Sequence, residues 1–288
     1  LSIILLSTLL LRPGIIANLE EMHARPAGPY VYGTPERILD RLRRETAGKP
    51  PVMVLADQDL SITIPAFVGN ADIVAHRILS TSEGFPADQQ DAALQRHIDQ
   101  YDFFRTPLLT TTHIDILRRY DIHYVVTSSD TSLDAQLRLS PQWFERLLDE
   151  KSHSLYRVRE VPNATDAILG NAAVLEREWI EGHQHYTAAL ERNPSDLLAL
   201  FGLAHVYRIH GEFDLAAATL KQALMKSDAP ILHFRLGQVY DAMGEVEQSI
   251  AEFDLAQRGA PAISRFHIAL GDACLKDGQK DCAGKEFE

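Results

Sequence analysis

Leu203-Ala204-His205-Val206-Tyr207, Leu236-Gly237-Gln238-Val239-Tyr240 and Leu270-Gly271-Asp272-Ala273-Cys274 are three versions of one pentapeptide, and their starts lie 33 and 34 residues apart. The residues around them keep the same register. A glycine follows each segment at Gly211, Gly244 and Gly278, where one helix must turn into the next. The second helix then brings a small residue (Ala216, Ser249, Ala283) and, one turn on, a bulky one (Leu220, Phe253, Phe287). Ala223 and Ala256 follow, and Pro261 closes one unit. Counting back 34 from Ala204 reaches Gly170, and Gly182, Tyr186, Ala189 and Pro194 fall at the expected offsets. A less regular first unit therefore covers about residues 164–194, with Arg177 where the others have glycine. Two antiparallel helices approach closely only where small residues meet. Ala204, Gly237 and Gly271 supply them on the first helix, and one such pair buries its apolar face only by stacking on neighbours.

This pattern resembles the tetratricopeptide repeat, whose period is about 34 residues. The resemblance covers residues 164–288 as one irregular, two full and one truncated repeat, with Cys274 in place of the usual Tyr. It implies an all-α superhelix of helix-turn-helix units whose first helices line a concave groove for a protein or peptide partner. By register the groove residues are Phe201, His205 and Arg208, then Phe234, Arg235, Gln238 and Asp241, then Ile268, Asp272 and Leu275. Some of these positions read equally well as merely solvated. Arg208 and Arg235 read as nearly equivalent in register, able to grip an acidic group with their planar forks, over an apolar floor of Phe201 and Phe234.

Upstream, residues 29–161 change character. Pro35–Arg44 has helical spacing, with Ile38, Leu39 and Leu42 on one side, Thr34 as N-cap and Gly48 beyond its end. Val52–Ala56 is a short apolar run suited to a buried strand, and Ile73–Ala75 offers a second. Helices are expected at Gln89–Phe104, Ile114–Tyr120 and Pro141–Asp149, and strands at Tyr124–Thr127 and Ser154–Val161. Helices alternating with buried strands predict a small α/β domain. The fold class read from the sequence is thus a small α/β domain followed by an all-α repeat array. Asn163-Ala164-Thr165, a glycosylation-type triplet, reads as the linker between them.

Leu55-Ala56-Asp57, Ile64-Pro65-Ala66-Phe67 as a turn, Tyr120–Val126 (YDIHYVV) and Leu155–Val158 (LYRV) also resemble the soluble tail of bacterial polytopic membrane glycosyltransferases of the dolichyl-phosphate-mannose type. These are weak motifs, spread over roughly residues 1–160. That resemblance implies a membrane enzyme using a lipid-linked sugar. Its catalytic carboxylates would lie outside this sequence, so no catalytic residue is carried over and residues 1–288 are expected to show no turnover. Asp57 and Asp59 follow a buried strand, and His76-Arg77 follows the next. They read either as turn-forming residues, the commoner role, or as a polar pocket for a sugar or lipid phosphate. Ser82–Pro86 reads as a loop with an exposed aromatic.

Leu1–Leu11 (LSIILLSTLLL) is apolar and uncharged but shorter than the roughly 20 residues a spanning helix needs. Residues 1–14 are therefore read as the end of a transmembrane helix, with Arg12 at the interface, the alternative being a buried helix of a soluble protein. The expected setting is membrane-associated, with the soluble part extracytoplasmic. A net charge of −12 and the absence of a basic stripe argue against nucleic acid as the partner. No Gly-rich phosphate loop, GxSxG or HExxH occurs, and no cofactor is expected. The two cysteines, Cys274 and Cys282, are too few for a metal site and read first as two buried or half-buried thiols, with a single bridge between them as the alternative if the domain lies outside the cytoplasm.

Overall fold

The computed structural model describes residues 36–57, 60, 63–74, 87–150, 152–161 and 163–287. The expectations for residues 1–14, Thr34, Asp59, His76-Arg77 and Ser82–Pro86 lie outside them. The chain from Pro35 onward forms one compact unit. It is mostly helical, with a small mixed sheet.

The sheet elements run α1 (Glu36–Thr46), β1 (Val52–Ala56), α2 (Thr63–Phe67), β2 (Ala71–Ile73), α3 (Ala87–Arg105), α4 (Thr111–Arg119), β3 (Ile122–Ser128), α5 (Ser132–Arg138), β4 (Phe144–Asp149) and β5 (His153–Val158). The strand order is β2-β1-β3-β5-β4. β1 is parallel to β2 and β3, while β5 is antiparallel to β3 and β4. Because strand side chains alternate, the sheet builds two cores. Val54, Ala56, Tyr124, Val126 and Leu155 face Ile38 and Leu42 of α1 and Ile64 of α2. Leu55, Val125 and Tyr156 face Phe103 of α3 and Ile116 and Leu117 of α4.

The helix expected at Pro141–Asp149 is not there. The helix lies earlier, at α5, where Thr131 Oγ1 accepts the Asp134 amide proton at 3.0 Å and caps it. Phe144–Asp149 is an edge strand. Its apolar residues Phe144, Leu147 and Leu148 have helical spacing, but a register shift between Arg146 and Leu148 fits that spacing to the ladder with β5. Pairing with β5 outweighs local propensity. The second strand is Ala71–Ile73 rather than Ile73–Ala75, and the Ile64–Phe67 turn belongs to a single helical turn, α2.

Eight helices follow as four pairs: α6 (Asp166–Leu175) with α7 (Trp179–Arg192), α8 (Leu197–Ile209) with α9 (Phe213–Leu224), α10 (Pro230–Met243) with α11 (Val246–Gly259), and α12 (Ser264–Lys276) with α13 (Lys280–Phe287). Each pair turns through a left-handed residue: Arg177 at φ 67°, Gly211 at 77°, Gly244 at 78° and Gly278 at 76°. Each turn is closed by the same hydrogen bond, in which Glu178, Glu212, Glu245 and Gln279 N–H donate to the carbonyls of Ala173, Tyr207, Tyr240 and Cys274 at 2.8–2.9 Å. The small residues sit at the crossings: a Cβ added to Gly237 would lie 2.7 Å from the Phe253 ring, and one on Gly170 2.7 Å from Tyr186.

The sheet and the repeats share a core across residue 163. Ala167, Ile168, Tyr186 and Leu198 pack with the sheet residues Val125 and Tyr156. Ala135 of α5, with Leu139 just beyond it, packs with Phe201, Ile231, Phe234 and Phe266. Cys274 and Cys282 are joined by a disulfide between α12 and α13, which corrects the reading as free thiols. Their positions face each other across the last helix pair, a relation that sequence separation alone does not reveal. Among the described residues no helix is long and apolar enough to cross a membrane, and no group of His, Cys, Asp or Glu is placed to hold a metal ion.

Candidate interaction groove

The groove residues inferred from the repeat register lie on α8, α10 and α12, the first helices of the second to fourth repeats. They divide into a covered inner part and an open outer part. The division arises because α5 packs against the same helices: Asp134, Ala135 and Arg138 border Pro230, Ile231, Ile263 and Phe266.

In the inner part Phe201 and Phe234 are 6% and 7% exposed. Phe234 packs against Phe266 at 4.8 Å and Phe253 at 5.7 Å between ring centres. The Arg235 guanidinium lies 5.4 Å from the centre of the Phe201 ring, and its Nη1 donates to Gln238 Oε1 at 2.9 Å. Burial, then the charges of Arg208 and Arg265, push the Arg235 pKa down to about 10. His205 sits 6.3 Å from the Trp179 ring. Burial, then Arg235 and Arg208, push its pKa down to about 4, so the imidazole is neutral at neutral pH. Arg208 is half-buried; burial lowers its pKa, and its Nε has no hydrogen-bond partner.

In the outer part Asp241 accepts two hydrogen bonds from Lys276 Nζ, at 2.6 and 2.7 Å, bridging the third repeat to the fourth. Asp272 is exposed, and Ile268 and Leu275 are each 53% exposed.

Arg208 and Arg235 are not equivalent by register. Arg208 stands three residues before Gly211 and matches Asp241, three before Gly244, whereas Arg235 matches Gly202. The two guanidiniums nevertheless repel each other across neighbouring helices. Register reasoning missed Arg265, whose guanidinium lies 5.9 Å from the Phe234 ring centre and 5.5 Å from that of Phe266. It also missed Trp179, Arg177 and Gln136, which border the groove from the first repeat and from α5. Only the fold brings α5 there. At the far end of the sheet, Asp57 Oδ1 accepts the Leu60 amide proton at 3.1 Å, and its Oδ2 lies 3.2 Å from His153 Nε2. The turn-capping role is thus the one its contacts display.

Residues 169–230 match the sequence family described as tetratricopeptide repeat. Among solved structures, MamA of AMB-1 is 23% identical, with 42% of this chain and 67% of that chain covered and a TM-score of 0.39. A MamA from Desulfovibrio magneticus RS-1, residues 41 to the end, is 15% identical, with 67% of this chain and 89% of that chain covered and a TM-score of 0.41. The first TPR of Spaghetti (RPAP3), solved with the HSP90 peptide SRMEEVD, is 15% identical, with 39% of this chain and 90% of that chain covered and a TM-score of 0.38. No curated protein matches the chain.

Proposed function

We propose that the chain is an interaction scaffold whose tetratricopeptide repeats bind a partner polypeptide along their first helices. The observation that carries this reading is the open outer part of the first-helix face. Ile268 and Leu275 present apolar side chains there, beside the Asp241–Lys276 bridge and Asp272. Arg208, half-buried on α8 at the inner side of this face, offers a charge-assisted contact to an acidic group. The partner segment is therefore one that sets an acidic residue next to an apolar one. Phe201 and Phe234 act beneath this surface as packing, and the accessible apolar contribution is that of Ile268 and Leu275.

Membrane attachment through Leu1–Leu11, with the soluble part outside the cytoplasm, belongs to the same proposal. It is supported by that apolar run and by the Cys274–Cys282 bridge, since disulfides persist in oxidising compartments. The alternative, an accessory region of a membrane-bound glycosyltransferase using a lipid-linked sugar donor, rests on the short sequence motifs alone.

The test is capture of partner polypeptides by the immobilised chain and by its Arg208→Glu, Ile268→Asp variant. The variant is expected to keep the helical circular-dichroism signal and to lose the partners at matched salt. Equal capture by both would remove the first-helix face as the binding surface.

A further inference from the structure

α3 (Ala87–Arg105) reverses the pattern of an ordinary surface helix. Its inner face holds Asp99, Gln100 and Phe103, which are 6%, 3% and 0% exposed. Tyr120 Oη donates to Asp99 Oδ2 at 2.7 Å, Arg119 Nη1 donates to the same oxygen, and Gln100 Nε2 donates to the Ala56 carbonyl. These contacts fix the rotation of the helix about its own axis. The opposite face carries Leu94, Ile98 and Tyr101, which are 59%, 43% and 50% exposed. No other helix among the described residues exposes three large apolar side chains. Polar groups buried on one face and an apolar stripe left open on the other are the departure that calls for a partner.

The stripe has the spacing of a helix–helix seam. Asp91, Leu94, Ile98, Tyr101 and Arg105 follow one another at intervals of three, four, three and four residues, which keeps all five on one side of a helix. The two end residues are exposed and opposite in charge. Among the described residues neither Asp91 nor Arg105 is held in an ion pair, and the Arg105 guanidinium lies 5.3 Å from the centre of the Tyr101 ring. Ile98 stands seven residues from each end. Two copies of the stripe laid antiparallel about a two-fold axis at Ile98 bring Asp91 of each to Arg105 of the other, with the apolar residues between them. Parallel pairing would set Asp91 against Asp91 and Arg105 against Arg105. The stripe is thus complementary to itself, and in one direction only. A lipid surface is a poor match, because helices that lie on membranes are rich in Lys and Arg, whereas α3 has four Asp, two Arg and no Lys.

We propose that α3 is a self-association surface through which two copies of the chain pair antiparallel about Ile98. The face is short, so the dimer is weak and its population depends on concentration. The proposal is independent of the partner reading, which depends on Arg208, Ile268 and Leu275.

The experiment is sedimentation velocity of the full chain over a concentration series from low to high micromolar, at one fixed salt concentration. The parent is expected to pass from monomer to dimer across the series. Ile98→Asp, which sets two carboxylates against each other at the centre of the seam, should weaken the dimer at least tenfold. Asp91→Arg alone and Arg105→Asp alone should each weaken it, because like charges then meet at both ends. The double variant Asp91→Arg, Arg105→Asp should recover the parent's behaviour, and an equimolar mixture of the two single variants should dimerise where neither does alone. A segment of the same chain lying on the stripe, or an unrelated protein, gives no such rescue. All the substituted positions are exposed, and an unchanged circular-dichroism signal shows that each variant is folded. A parent that stays monomeric throughout, a dimer undiminished in Ile98→Asp, or failure of both the double variant and the mixture to recover association would each overturn the proposal.

Discussion

Gly237 decides how closely α10 and α11 pack, and replacing it measures that contact. A Cβ at this position would lie 2.7 Å from Cδ1 and Cε1 of Phe253 and 3.1 Å from Cγ. The ring is 3% exposed and held against Phe234 at 5.7 Å, so it has little room to move aside. Overpacking of a well-filled core costs about 1–3 kcal/mol. Alanine recovers up to about 1 kcal/mol of helix propensity over glycine, so Gly237→Ala should cost about 0–2 kcal/mol. Leucine adds three more carbons to the same space, and Gly237→Leu should cost about 3 kcal/mol or more. Gly284 on α13 is the matched control: a Cβ there meets nothing within 4 Å, so Gly284→Ala should stabilise by up to about 1 kcal/mol. Urea unfolding of the full chain followed by circular dichroism reads all three. Phe253→Leu in the Gly237→Ala background should restore part of the loss, because neighbours in contact are not additive. An unchanged midpoint for Gly237→Leu would refute the helix pairing.

Three further outcomes follow from named contacts. Arg177 occupies the left-handed turn position that the other repeats give to glycine. Its strain is about 1–2 kcal/mol, and glycine returns part of that as chain entropy, so Arg177→Gly should raise the unfolding midpoint; a lowered midpoint would contradict the turn assignment. Burial pushes the fully buried His113 down to about 4 from 6.5. Because the unfolded chain takes up that proton first, stability should fall by up to about 3 kcal/mol as pH drops from 6.5 to 4, read as urea midpoints across that range and absent from a His113→Gln variant. His233 is raised chiefly by its hydrogen bond to Glu252, and His267 by that to the Pro261 carbonyl and then Glu286. Their contribution is therefore complete below pH 6.5 and lost as pH rises through the raised values, so His233→Gln should flatten the decline in stability on the alkaline side.

The repeats were legible because their signal is written many times over. A glycine, a small residue and a bulky residue recur at fixed offsets, and each corresponds to a local contact within one helix pair. Arg177 was visible as a departure for the same reason. Strands β1 and β3 were legible from apolar runs, and β5 from the alternation of Ser154–Val161. The helix expected at Pro141–Asp149 misled because Phe144, Leu147 and Leu148 have helical spacing; only the ladder with β5, with its register shift, shows that they belong to an edge strand. The exposed position of Ile268, Asp272 and Leu275 on the first helix was legible by register, since periodicity locates a helix face. Periodicity does not say what covers that face. That α5 lies over Phe201 and Phe234, and that Gln136 and Arg235 border one cleft, depends on contacts between residues about a hundred apart in the chain. No local pattern encodes such contacts.

The central claim, that a partner polypeptide lies along the first helices, is tested most directly by site-specific photocrosslinking in the source cell. Ile268 on α12 and Leu255 on α11 are both well exposed, at 53% and 44%, but belong to the first and second helix of their respective repeats. A photoreactive residue at position 268 is predicted to give a discrete polypeptide adduct that disappears when Arg208 is also changed to Glu. The same residue at position 255 is predicted to give none. Adducts of equal yield from both positions, or from position 255 alone, would contradict the account.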